Sequence, residues 1–373
     1  MKINGNTATC YSYVRGVHSL PYAEGGGLWD VYGTYDHELV KTPSGWKVSK
    51  MVFHLLYQEG NKNLPVIAMK MPDEQRVSFI SEGNKLIGII YIPSGYKEGQ
   101  KLPAVIVTGS WTTVKEQMAG TYAKKLAAEG FAALVFDFRG FGESGGEPRQ
   151  YESPQRKIQD IKNAVTFLQT LPMIDKNKMG GLGICASSGY MSRAVTEDRR
   201  IKTFAAIAPW LHNADLVKLI YGGEKGVSEK IAIGKAASGK YEQTKINDFV
   251  PACSISDDSA AMFGNFEYYL NPARGAIPQW KNQFAVMSWH EWLQFDPIKE
   301  AGMISVPTLL IHSNDAAIPD GAKQFYEKLF SKKDFYWMKG TQFDFYDNPP
   351  TVNEASKKAV QWFKQYLEQE QTK

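Results

Sequence analysis

The sequence predicts an α/β protein: an eight-stranded, mostly parallel sheet with helices on both faces and a helical cap, preceded by a small antiparallel β segment. Three observations predict this. From residue 76 onward short apolar, β-prone runs alternate with stretches whose apolar residues recur at helical spacing. The first 60 residues are rich in Tyr, Val, Thr and Trp and lack that rhythm. One strand-to-helix junction, Gly183-Ile184-Cys185-Ala186-Ser187, sets a cysteine between small residues.

Residues 6–16, 28–41 and 46–58 read as strands, and Leu28 to Tyr35 partly alternates as a half-buried strand does. Thr42-Pro43-Ser44-Gly45 between the last two runs predicts a tight hairpin, because Pro presets φ and Gly permits positive φ. Residues 59–75 read as a linker, which places one domain at 1–70 and a second at 71–373. The second domain opens on runs 76–80, 86–92, 104–108, 132–138, 178–185, 203–209, 308–312 and 335–339, which are its eight strands. Helical spacing covers 116–129, 155–171, 188–197, 319–330 and 352–368, whereas the first three strands have no helix between them and can include antiparallel pairs. The long stretch 211–300 lacks strand–helix rhythm and reads as a helical cap that shapes a pocket over the carboxyl edge of the sheet.

A chain of 373 residues with 43% hydrophobic and 22% charged residues can bury a large core. Lys and Arg number 43 against 39 Asp and Glu, spread along the chain without a basic stripe, which argues against nucleic acid or a membrane surface as partner. No run approaches the ~18 apolar residues of a spanning helix, and the first residues lack the apolar core of a signal peptide, so a cytoplasmic location is expected. Three scattered cysteines exclude a disulfide framework and a paired-cysteine metal site, and no metal or other cofactor is expected.

Cys185 is the candidate nucleophile. Small residues two before and two after it suit a turn tight enough to lift the sulfur clear of the sheet, and the helix that follows is expected to favour the thiolate. That reading makes Cys185 the cysteine iodoacetamide alkylates fastest. Upstream, the strand ending in Thr108-Gly109-Ser110-Trp111 turns so that the Trp111 N–H, with Ser110 beside it, can join the Ala186 N–H in an oxyanion hole.

Asp137-Phe138-Arg139-Gly140-Phe141-Gly142-Glu143-Ser144 resembles the D-x-R-G-x-G-x-S signature of α/β hydrolases, in which the Asp and Arg are structural. With the cysteine elbow, residues 76 to the C-terminus resemble the dienelactone-hydrolase-like branch of that fold. The resemblance implies that Asp315, after the seventh strand, is the acid of a triad, and that Gln342 stands where the family has its catalytic His. An amide cannot take up a proton near neutral pH. The substitution leaves three readings open: a thiolate that attacks without a resident base while Gln342 orients substrate or water, a base supplied from elsewhere by His290 or else His212, or a pocket that binds without turnover. The expected substrate is a small activated acyl compound, an ester, enol lactone or thioester, with acyl transfer as a further outcome.

Leu28-Trp29-Asp30-Val31-Tyr32-Gly33-Thr34-Tyr35 through Val40, followed by Gly45-Trp46-Lys47-Val48, is similar to the last strands of a SnoaL-like domain whose N-terminal helices are missing. Half a cone leaves strand edges that need cover, so a homo-oligomer is expected.

Overall fold

A computed structural model describes residues 1–20, 23, 25–69 and 71–368. The chain divides into two units, Met1–Met71 and Pro72–Lys373. Lys70, the last residue of the first domain drawn from sequence, lies outside the described residues.

In the first unit β1 (Lys2–Asn4), β2 (Thr7–Ser19), β3 (Leu28–Thr42) and β4 (Gly45–Gly60) form an antiparallel sheet in that order. The β3–β4 hairpin closes on Pro43-Ser44, where Gly45 takes φ +106 and the Thr42 hydroxyl donates to the Gly45 carbonyl at 2.7 Å. β4 lies at the sheet edge with Met51, Phe53, Leu55, Leu56 and Tyr57 exposed. The stretch 59–75 is not a plain linker. Asn61 Oδ1 accepts the Asn63 N–H at 3.1 Å, a local turn that opens helix α1 (Leu64–Met69) with Pro65 in its first turn, where a missing N–H costs nothing.

The second unit runs β5 (Asp73–Ser81), β6 (Asn84–Ile92), β7 (Leu102–Thr108), α2 (Met118–Ala128), β8 (Ala132–Phe136), α3 (Pro154–Leu168), β9 (Ile174–Ile184), α4 (Ser187–Glu197) and β10 (Ile201–Ile207). A cap follows, comprising α5 (Ala214–Ile220), α6 (Gly223–Thr244), α7 (Glu267–Leu270) and α8 (Ser288–Gln294). It also holds two short pairs, β11 (Phe249–Val250) with β14 (Phe284–Ala285) and β12 (Cys253–Ser254) with β13 (Met262–Phe263). The chain returns through β15 (Thr308–His312), α9 (Pro319–Lys328), β16 (Lys333–Trp337), α10 (Asp344–Asp347) and α11 (Pro349–Phe363).

The eight-stranded sheet has the order β16-β15-β10-β9-β7-β8-β6-β5, parallel except where β6 runs against β5 and β8. β8 and β15 are buried along their whole length, which is why they read as unbroken apolar runs such as Ala132–Phe136. Helix α3 starts where Ser153 accepts the Arg156 N–H and Pro154 fills the first turn. No helix among the described residues is long and apolar enough to cross a membrane.

Candidate active site

β9 ends at Ile184 and α4 begins at Ser187, so Cys185 sits in the turn between them with φ +55, a conformation unfavourable for a residue with a side chain. Its backbone is held from three sides: the Cys185 N–H donates to Ile207, and its carbonyl accepts from Ser188 and Trp210, each at 3.0 Å. A Cβ on Gly183 would lie 2.6 Å from the Ser187 carbonyl oxygen and 2.7 Å from the Ser188 Cα, so only glycine fits two residues before the cysteine.

The sulfur is not lifted into solvent. Cys185 is 6% exposed, and burial pushes its thiol pKa up; hydrogen bonds from the Ser110 and Tyr346 hydroxyls and from the Ala186 and Trp111 N–H groups oppose this without overcoming it. This corrects the expectation of a low-pKa thiolate. A helix terminus acts over one turn, whereas the surrounding aromatic cage removes water from the whole group. Trp111 packs on Phe284, Trp289 and Trp292 of the cap at ring distances of 4.6, 5.9 and 5.3 Å. The alkylation order therefore reverses: iodoacetamide at neutral pH should label the half-buried Cys10 first, and labelling of Cys185 should accelerate as pH rises. Peptide mapping over time checks this, and Cys185 leading at pH 7 would contradict it.

The loop after β7 brings Trp111 and Ser110 to the sulfur. Thr112, the next residue, has φ +61 and is pinned at both ends: its N–H donates to Glu152 Oε2 at 2.9 Å and its carbonyl accepts the Trp280 indole N–H at 2.9 Å. Glu152 is fully buried, and its other oxygen accepts from Lys157 Nζ at 2.6 Å and the Tyr190 hydroxyl at 2.7 Å. Asp137 and Arg139 are structural: Asp137 accepts from the Lys115 backbone and ammonium at 2.9 and 2.8 Å, and Arg139 pairs with Asp160 at 3.1 Å.

The residues assigned to a triad do not assemble as one. Asp315 is exposed, and the Gln342 amide turns elsewhere. Its Oε1 accepts the Ala317 N–H at 3.0 Å, while Nε2 donates to the Ala208 carbonyl and to the Tyr346 hydroxyl, both at 3.0 Å. Both amide hydrogens are engaged within the protein, so Gln342 supports Tyr346 rather than presenting an amide to substrate. His212 offers no free base: Nδ1 accepts the Trp210 indole N–H and Nε2 lies on the Trp292 carbonyl, each at 3.0 Å. His290 sits on α8 against α6, where a Cβ on Gly234 would come within 2.6 Å of its backbone nitrogen.

Sequence reasoning missed Tyr346 and Glu152. The only signal for Tyr346 was its place four residues, one helical turn, beyond Gln342; Glu152 carried none. Of the cap aromatics, Tyr269 does reach the site, donating its hydroxyl to Ser110 Oγ at 2.9 Å.

A mostly parallel sheet whose central strand delivers a nucleophile-type turn into a helix, with a backbone loop from the neighbouring strand beside it, defines an α/β hydrolase. The chain belongs to the X-Pro dipeptidyl-peptidase (S15) family, whose family model matches residues 82–342. Polyketide transferase claH of Penicillium crustosum is 31% identical over 70% of this chain and 88% of its own. Thiohydrolase aneE of Aspergillus aculeatus is 26% identical over 68% of this chain and 81% of its own. The crystal structure of hypothetical protein PA2218 from Pseudomonas aeruginosa shares the fold with a TM-score of 0.71 at 24% identity, covering 80% of this chain and 94% of that one.

Proposed function

We propose that this hydrolase acts on an acyl thioester through Cys185. The observation that carries the reading is that the Ala186 and Trp111 N–H groups both act on the Cys185 sulfur, each favouring negative charge there. The same two donors would receive the oxygen of a carbonyl attacked by that sulfur, with Ser110 beside them. A thioester is the acyl class that best suits the site. Among the described residues no imidazole is hydrogen-bonded to the nucleophile, so the reaction favours a leaving group that departs as a thiol or thiolate, and sulfur-for-sulfur exchange is close to balanced in energy. The names of the thiohydrolase and polyketide-transferase relatives belong to the same acyl chemistry. Asp315 would act on this site only through its loop. A place beside the dienelactone-hydrolase-like enzymes would rest on the same cysteine elbow.

Incubation with an S-acyl-N-acetylcysteamine followed by intact mass spectrometry should show one acyl group, mapped to Cys185 and lacking in Cys185→Ala. Decay of the adduct in water alone would mark a hydrolase, and decay only on addition of a thiol or amine an acyltransferase. No adduct in the wild type, with the thioester bound unchanged, would overturn the proposal in favour of a binding protein, the reading that the sealed thiol and exposed Asp315 support.

A further inference from the structure

Tyr346 stands beside Cys185 and Gln342. It lies on α10, 1% exposed, with its ring packed edge-on against Tyr268 at 5.0 Å and the preceding carbonyl, that of Phe345, accepting the Tyr122 hydroxyl at 2.8 Å. Its hydroxyl meets three groups: Gln342 Nε2 at 3.0 Å, Ser110 Oγ at 3.0 Å and the sulfur of Cys185.

The direction of these bonds follows from Gln342. Because the Ala317 N–H points at Oε1, the amide is oriented with its nitrogen toward Tyr346, and that nitrogen can only donate. The Tyr346 oxygen is therefore an acceptor for Gln342, and its own proton is left for Ser110 or the sulfur. Ser110 Oγ in turn accepts from Tyr269 at 2.9 Å. The Tyr346 oxygen thus has one lone pair held by Gln342 and the other open to the Cys185 S–H, and its own proton can turn to an atom departing beside the sulfur.

We infer that Tyr346 carries the proton of the Cys185 thiol to the leaving group, as a hydroxyl that gives one proton and takes another. The inference rests on the reading of Cys185 as nucleophile. As the Sγ–carbon bond forms, the S–H bond breaks and its proton passes to the Tyr346 oxygen. The phenolic proton moves to the departing sulfur, which takes the electron pair of the breaking carbon–sulfur bond. A thioester and a thiol become a new thioester and a new thiol, with nothing oxidised or reduced. Tyr346 is never a phenolate, in keeping with the burial that strongly opposes its ionisation. Gln342 is a positioning residue in this scheme: it fixes which side of the hydroxyl carries the proton.

The test is a comparison of acylation rates for two thioesters of the same acyl group, one leaving as an alkyl thiol and one as a nitrothiophenolate that needs no proton. Tyr346→Phe keeps the ring and should slow the alkyl thioester by about 100-fold, within the general acid–base range, and the aryl thioester by a clearly smaller factor, because that substrate still loses the acceptor of the thiol proton but does not need the donor to the leaving group. Gln342→Ala should shift the alkyl-to-aryl ratio the same way by a smaller factor. An equal loss on both substrates, or no loss on either, would overturn the role of Tyr346 while leaving Cys185 acylation intact. Absence of an adduct in the wild type with both thioesters would overturn this inference and the proposed function together.

Discussion

Glu152→Ala is expected to destabilise the second unit by roughly 3–5 kcal/mol, read from denaturant unfolding, because it strands a buried cation. Lys157 is 1% exposed, its ammonium held 2.6 Å from Glu152 and ringed by Phe138, Phe141 and Tyr190 at 4.7, 4.3 and 5.4 Å from their centroids. Burial already pushes its pKa down, and the Glu152 charge is the largest influence opposing that. Removing the partner also frees the Tyr190 hydroxyl and the Thr112 N–H. A double variant, Glu152→Leu with Lys157→Met, removes both charges and should recover most of the loss, since a buried pair replaced by apolar groups is near neutral. It would not restore the tie to Thr112, whose neighbour Trp111 touches the sulfur, so acylation of Cys185 should stay depressed in the double variant although stability returns. A loss under ~1 kcal/mol in Glu152→Ala would mean that water reaches Lys157.

The second large effect is one of pH. His212 is buried, with Nδ1 occupied as an acceptor and Nε2 donating to Trp292, so the folded state holds the neutral ring, and burial lowers its pKa from 6.5 to about 4. In the unfolded chain the same ring takes a proton near its ordinary value. Between these two values the unfolded state binds the extra proton, so the contribution of His212 is full above pH 6.5 and is lost as pH falls toward 4, up to about 3 kcal/mol. His312, fully buried on β15 and likewise lowered to about 4, acts in the same direction. Urea unfolding at pH 7 and pH 4.5 should therefore show a stability drop about 2–3 kcal/mol smaller in His212→Gln than in the wild type. Equal drops would show that His212 is charged or solvated in the fold.

The strands and helices of the second unit were legible because periodicity is a local property. Ala132–Phe136 reads as a strand buried on both faces, and Gly183 two residues before Cys185 announces a turn with no room for a side chain. Helix α1 was hidden because a short helix opened by Asn61 looks, in sequence, like the polar residues of a linker. The company of Asp315 is not a local property. Its position after a strand is local, but its use depends on whether the side chain opposite can accept its company, and Gln342 instead takes the Ala317 N–H.

The layered α/β sheet and the tight turn at Cys185 are written in the sequence, since each follows from neighbours a few residues apart. Only the tertiary structure decided the state of the thiol and the company it keeps. Ser110, Tyr269 and Tyr346 come from the loop after β7, the cap and α10, and they meet in one hydrogen-bonded cluster beside the sulfur only when the sheet and cap are assembled. Whether burial or a helix terminus governs that thiol depends on how much water those distant side chains exclude, and no local pattern records that.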